Sequence, residues 1–180
     1  MGMDATGVDA ASRTLHGANI IAAIKASAID YILSVPDIVT SAGLLAPIAR
    51  DKQLKLVRVC KEDECVGIAS GLSYCDKRAL ILIQHTGFLD SLNAIRGVAV
   101  EYNQPICMMV GLLGHDAEKA PRDSSRYGVR IMEPILDDMG IAHHHINVDA
   151  DVAKIQPAIE KAYRESRPVA LLIGRRPEAS

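Results

Sequence analysis

Short apolar runs alternate with longer amphipathic stretches along this chain. Runs bounded by Gly, Pro, Asp or charged residues predict β-strands. The run from Ala79 to Ile83 contains no polar residue, which is typical of a strand buried on both faces of a sheet. The predicted strands cover residues 31–35, 54–60, 79–83, 105–110, 143–148 and 168–173.

Helical periodicity fills the segments between the strands. Leu15, Ile20 and Ile24 recur at helical spacing, and Asp37, directly after a proline, can cap the next helix. Residues 111–128 are rich in Gly, Pro, Ser and charge and predict a long loop, which at that length is usually functional. The predicted helices cover residues 14–28, 37–50, the segment from 62 onward, 88–102, 129–139 and 150–166.

This alternation predicts an α/β fold, a three-layer α/β/α arrangement around a mostly parallel sheet. We expect a single domain over residues 14–180, preceded by an N-terminal tail at 1–13. Ligands of such sheets bind at the carboxyl ends of the strands. Residues 35–37, 61–62, 84–87 and 111–115 follow four predicted strands and should therefore converge.

The helix that begins at residue 62 has an unusual sequence. Three acids at its start, Glu62, Asp63 and Glu64, answer the positive end of the helix dipole. The next two turns contain mostly small or apolar residues, including Gly67 and Gly71, so we expect another surface to pack close to this helix. A carboxylate at the edge of such an interface can hold a proton or a ligand, which makes this helix start the leading functional candidate.

Composition narrows the function classes. The chain has 180 residues, of which 49% are hydrophobic, and this is typical of a globular protein with one aliphatic core. A net charge of −2, with Lys and Arg spread along the chain, argues against nucleic acid as a partner. No apolar run approaches the roughly 20 residues that span a membrane, and the N-terminus lacks a signal-peptide core. We therefore expect no membrane association and a cytoplasmic location.

Nucleotide and metal motifs are absent from the sequence. It has no GxGxxG after a strand, no GxxxxGK[ST] and no GxSxG. His143, His144 and His145 lie on a predicted strand, where successive side chains point to opposite faces, so the three cannot share one ion. We predict no metal ligands in this chain and free, structural thiols at Cys60, Cys65, Cys75 and Cys107.

Four segments, in this order and at these strand ends, resemble the pyrimidine-binding domain of thiamine-diphosphate enzymes. Ser34-Val35-Pro36-Asp37 is similar to the family's Val-Pro-Asp loop, and the Glu62 helix fits the pattern Glu-x2-small-x3-Ala-x-Gly. Gln84-His85-Thr86-Gly87, leading into Ser91–Ile95, resembles the family's glycine turn and following helix. The resemblance covers about residues 15–175 and is strongest to alpha subunits of sulfopyruvate decarboxylase and to phosphonopyruvate decarboxylase.

The resemblance implies a 2-oxo acid decarboxylase in which Glu62 hydrogen-bonds and activates the aminopyrimidine of thiamine diphosphate. It also implies two further catalytic candidates. Asp37 would orient the substrate or relay a proton, and otherwise caps its helix; His115 would act as an acid in product release. The implied cofactor-binding residues are Val35, Pro36, Glu62, His85, Thr86 and Gly87.

The second half of a thiamine-diphosphate site is missing from the sequence. The family holds the diphosphate and Mg²⁺ through a Gly-Asp-Gly motif with a downstream Asn, and this chain contains neither. The resemblance therefore implies a separate beta subunit that supplies the metal–diphosphate half. The active enzyme would be a hetero-oligomer with the cofactor between its chains.

The substrate and reaction type stay open at the level of sequence. The sulfo- and phosphonopyruvate enzymes have an Arg in the loop that reads Gly111-Leu112-Leu113-Gly114 here. The arginines that can replace that charge are Arg122, Arg126 and Arg130. Two alternatives to a decarboxylase subunit remain: a subunit of an acetolactate-synthase-like carboligase, and a non-catalytic α/β binding module in which Glu62 is a cap.

Overall fold

The computed structural model describes residues 13–179 and contains one six-stranded, entirely parallel sheet. The strand order is β2-β1-β3-β4-β6-β5, with β3 and β4 at the centre. The strands are β1 Tyr31–Ser34, β2 Lys55–Arg58, β3 Ala79–Gln84, β4 Cys107–Gly111, β5 Ala142–His145 and β6 Val169–Ile173. The predicted tail at 1–13 lies outside the described residues, apart from Arg13.

Eight α-helices and several shorter helical segments connect the strands within residues 13–179. The α-helices are α1 Gly17–Ala26, α2 Ala46–Ile48, α3 Glu62–Tyr74, α4 His85–Asp90, α5 Leu92–Ala94, α6 Tyr127–Arg130, α7 Met132–Asp138 and α8 Ile155–Glu165. Two π-helical segments, Ser41–Leu45 and Ile95–Glu101, precede α2 and follow α5, and 3-10 turns cover Pro121–Asp123 and Asp149–Lys154.

The core has two halves, one on each face of the sheet. Leu80 and Leu82 of β3 point to the face covered by α1, α2 and α8, whereas Ile81 and Ile83 point to the face covered by α3, α4, α6 and α7. All four side chains are at most 1% exposed. The predicted three-layer α/β/α fold with a parallel sheet is confirmed.

The boundaries differ from the predicted ones where side chains bind the backbone. The single helix expected over 88–102 begins at His85 and is interrupted near Ser91, whose hydroxyl donates to the Gly87 carbonyl at 2.7 Å and so competes with helical hydrogen bonding. The strand expected over 143–148 ends at His145, because the backbone N–H groups of Asn147 and Val148 donate to Asp151 instead.

No helix among residues 13–179 is long and apolar enough to cross a membrane. The four cysteines are free thiols, two buried and two exposed. Burial raises the pKa of Cys65 and of Cys107 to about 12, so these two thiols stay protonated at neutral pH. This is consistent with structural rather than nucleophilic cysteines.

Candidate functional site

The structure assigns different environments to the three acids at the start of α3. Glu64 accepts hydrogen bonds from the backbone N–H groups of Cys60 and Lys61 at 3.0 and 3.3 Å, and so caps the helix. Asp63 lies 3.8 Å from Lys61 Nζ, which also pairs with Asp90 at 3.3 Å. Glu62 has no hydrogen-bond or ion-pair partner among residues 13–179, so its carboxylate is free to bind a ligand.

Glu62 lies directly over Gly87, in the first turn of α4. A Cβ atom placed on Gly87 would overlap Cγ, Cδ and Oε1 of Glu62, so any larger residue here would displace this side chain. The contact joins the helix that follows β2 to the turn that follows β3, with β1 between the two strands in the sheet. The expected convergence of these two strand ends is therefore present in the structure.

The outer face of α3 is uncovered. Cys65, Val66 and Ala69 face the core, whereas a Cβ on Gly67 or Gly71 would meet nothing within 4 Å. The adjacent Ile68 is 36% exposed. The close-packed neighbour expected for this face from the sequence is thus not supplied by residues 13–179.

The loop after β1 lies across the sheet edge toward the end of β4. A Cβ on Gly111 would lie 2.9 Å from Val39 Cβ and 3.3 Å from Thr40 Cγ2, which shows how closely the loop packs there. Asp37 stabilises the loop, since its carboxylate accepts from the backbone N–H groups of Val39 and Thr40 at 2.6 and 3.0 Å and from the Thr40 hydroxyl.

These contacts make Asp37 the cap of the turn at 38–40, whereas the sequence predicted it as the cap of a helix that in the structure begins at Ser41. Its carboxylate is buried beneath the loop, 9% exposed. In the same loop Val35 is half-buried and Pro36 is exposed. A part for Asp37 in orienting substrate or relaying a proton remains a prediction.

His85 and Thr86 follow β3 but do not contact Glu62 through a hydrogen bond. His85 Nδ1 accepts from the backbone N–H of Leu113 at 3.3 Å, and its ring lies against Gly128, where a Cβ would be 3.1 Å from Nε2. Burial lowers the pKa of His85, so the neutral ring is favoured. Thr86 is exposed and donates to Gln84 Oε1 at 2.9 Å. His85 thus holds the 111–128 segment, and its role toward a cofactor stays a prediction.

His115 lies further along the same edge, beyond the ends of β5 and β6. A Cβ on Gly174 would lie 3.0 Å from His115 Cδ2 and would also overlap Asn147 Oδ1. Both ring nitrogens of His115 are buried and have no hydrogen-bond partner within residues 13–179. Since β4 lies between β3 and β6 in the sheet, His115 packs two strand positions away from the strand that leads to Gly87.

The three arginines named from the sequence have different surroundings. Arg122 pairs with Asp137 and lies 3.5 Å from Glu133, and Arg130 donates to the Ser124 carbonyl at 3.2 Å. Arg126 forms no ion pair among residues 13–179. Its Nε would lie 2.9 Å from a Cβ on Gly114, a residue with a left-handed φ of 74°, so Arg126 covers the turn next to His115.

One cluster near this edge was not predicted from the sequence. Glu133 is 9% exposed, and its Oε1 lies 2.8 Å from His145 Nε2 and 3.8 Å from His143 Nε2. The alternation of His143 and His145 on one strand face was the available signal, but their acidic partner comes from another helix. No group of three His, Cys, Asp or Glu side chains within 13–179 has the arrangement of a metal site.

Comparison with curated proteins finds three relatives that carry the same name. The sulfopyruvate decarboxylase subunit alpha of Methanocaldococcus jannaschii is 31% identical over 151 residues, which cover 83% of this chain and 88% of the relative. The protein of the same name from Methanothermobacter thermautotrophicus is 31% identical over 99 residues, which cover 55% of this chain and 59% of that relative. The one from Methanococcus maripaludis is 29% identical over 97 residues, which cover 54% of this chain and 58% of that relative. No family model matches the chain.

Proposed function

Because this chain belongs to the family of sulfopyruvate decarboxylase alpha subunits, we propose that it is the alpha subunit of a thiamine-diphosphate-dependent 2-oxo acid decarboxylase. The observation that carries the proposal is the Glu62 carboxylate, which lies on Gly87 and has no partner among residues 13–179. Its two acidic neighbours are engaged with the backbone and with Lys61, which leaves Glu62 as the acid that can serve a ligand.

The residues around Glu62 fit the aminopyrimidine half of thiamine diphosphate. A carboxylate over a glycine backbone offers a hydrogen-bonding group at the carboxyl end of the sheet, where Pro36 and Thr86 are exposed. The bound cofactor would supply an electron sink for loss of CO₂ from a 2-oxo acid. Glu62 would hold a proton at a pyrimidine nitrogen of that cofactor.

The uncovered face of α3 supports a second subunit. Gly67 and Gly71 leave the helix backbone accessible on the outer face of α3, as expected where a partner chain packs closely. A beta subunit there would bring the metal and diphosphate half, for which this chain has no Gly-Asp-Gly motif. The proposal therefore includes Mg²⁺ held by the partner and an alpha subunit inactive by itself.

Arg126 is the cation best placed for a second acidic group on the substrate. Its side chain covers Gly114, the residue before His115, and a guanidinium binds sulfonate, phosphonate or carboxylate groups through its planar fork. In the assembled enzyme, Arg126→Gln should raise KM for sulfopyruvate about tenfold and leave KM for pyruvate unchanged. Arg130→Gln is the matched control. Equal KM changes with both substrates would remove Arg126 from the proposal.

Replacing Glu62 by Gln tests the function itself. The amide keeps the size of the side chain but cannot take up a proton, so CO₂ release by the assembled pair should fall at least about 100-fold with the complex intact. Asp63→Asn, one residue along, should stay near wild type. Unchanged turnover in Glu62→Gln would contradict the proposal and favour the binding module. Product analysis with pyruvate plus an aldehyde separates a decarboxylase from a carboligase.

A further inference from the structure

A buried carboxylate gathers three basic side chains on the face of the sheet that carries His115. Glu133 of α7 accepts from His145 Nε2 at 2.8 Å, and its second oxygen lies 3.5 Å from Arg122 Nε. His143 Nε2 lies 3.8 Å from the same Glu133 oxygen that His145 contacts. The cluster thus places one buried carboxylate within ion-pair distance of two histidines and an arginine.

The cluster is close to His115 along the strand direction. His145 pairs in register with Leu172, and His115 packs on Gly174, two residues further along that chain. Asn147 connects the two strand ends, since its Oδ1 accepts from the Gly174 N–H at 3.1 Å. Two residues of strand correspond to about 6–7 Å. His145 and His115 are therefore neighbours on one face without a direct hydrogen bond.

The loop that carries His115 is fixed at two points by arginine–carboxylate pairs. On one side Arg122, within the 121–123 turn, binds Asp137 and approaches Glu133. On the other side Arg175 donates to the Asn147 carbonyl at 3.1 Å and pairs with Glu118 of the loop. The His115 ring itself has no partner within residues 13–179, so these contacts and the local charges determine where it sits and whether it is protonated.

We propose that Glu133 and His145 are positioning residues that set the placement and the charge of His115. The inference rests on the proposed function, which puts His115 beside the substrate as a proton donor. Glu133 would hold the loop through Arg122 and would place a negative charge near the His115 ring. His145 would fix the Glu133 carboxylate by its hydrogen bond and, when protonated, would oppose a charge on His115.

The electrostatic effects on His115 have opposite signs. Burial lowers the pKa of His115, and His145 lowers it further, while Asp116, the backbone at Lys119 and, with the smallest effect, Glu133 raise it. The charged groups that face the cluster and its loop are Asp116, Glu118, Lys119, Arg122, Arg126, Glu133, Asp137, His143, His145, Lys154 and Arg175. Removing the Glu133 charge should therefore lower the pKa of His115, and removing the His145 ring should raise it.

The test is a pH titration of the His115 imidazole by NMR in the assembled complex, with labelled histidine in this chain. Glu133→Gln should lower the His115 pKa and His145→Gln should raise it, each by about 0.3 pH units, as expected for charges several ångströms apart in a partly solvated region. Glu160→Gln, on the opposite face, is the control. The pH dependence of CO₂ release should contain a step that reflects protonation of His115. The midpoint of that step should shift in each variant in the same direction as the His115 pKa.

Shifts in the same direction, or no shift, would overturn the inference. His145 is about a third exposed, so its variant remains informative if Glu133→Gln does not fold. The Glu62→Gln experiment keeps the two proposals separate. Retained turnover in Glu62→Gln contradicts the function while the opposite NMR shifts can still occur. Lost turnover in Glu62→Gln without those shifts contradicts only the role of Glu133 and His145.

Discussion

Gly87→Ala is the substitution that most specifically displaces Glu62. The new Cβ would overlap three atoms of the Glu62 side chain, and carbon atoms in ordinary contact are about 3.5–4.0 Å apart. The carboxylate must therefore move by more than about 1 Å. A misplacement of this size can reduce a catalysed rate about 100-fold. We expect that loss in CO₂ release by the assembled pair, while the complex still forms.

Gly97→Ala is the matched control for this experiment. Gly97 lies in the helical segment that packs beside α3, and a Cβ there meets nothing within 4 Å. It should keep near wild-type turnover and, as a helical glycine replaced by alanine, gain about 0.5–1 kcal/mol in stability of the isolated chain. Turnover of Gly87→Ala within about twofold of wild type, or equal losses in both variants, would refute the reasoning.

Three further predictions concern assembly and stability. Gly67→Ala should stabilise the isolated chain by about 0.5–1 kcal/mol in urea unfolding, because a Cβ there meets no atom of the described residues. It should weaken binding of the proposed beta subunit in calorimetry, because the added methyl group would lie on the face of α3 against which that subunit packs. Asp37→Ala should destabilise the chain by about 1–2 kcal/mol, since the Val39 and Thr40 N–H groups lose their cap; an unchanged unfolding midpoint contradicts this. The hydrogen bond to Asp149 raises the pKa of His16, so the stability lost in His16→Gln should be largest below about pH 6.5 and vanish as pH rises through that raised pKa; a pH-independent loss contradicts this.

The sheet and its layers were accessible from sequence because they depend on local patterns. The apolar run Ala79–Ile83 is buried on both faces, as expected of a central strand. Boundaries were less accessible where a side chain decides them. Asp151 ends β5 early by taking the Asn147 N–H, and the strand-like sequence up to Val148 gives no sign of that contact.

The site was only partly predictable for a similar reason. The spacing of the family motif selected Glu62 among three adjacent acids. The structure shows how their surroundings differ, since Glu64 caps the helix and Glu62 lies on Gly87. The partnership of Glu133 with His145 could not be predicted, because it depends on how α7 packs against an edge strand. The position of His115 against Gly174 likewise depends on tertiary packing.

Calorimetry of thiamine diphosphate binding most directly tests whether this chain holds half of a cofactor site. The chain alone, the copurifying beta subunit alone and the assembled pair would each be titrated with thiamine diphosphate and Mg²⁺. Tight binding to the pair only, lost or weakened in Glu62→Gln, is the predicted result. Tight, magnesium-dependent binding by this chain alone would contradict the account.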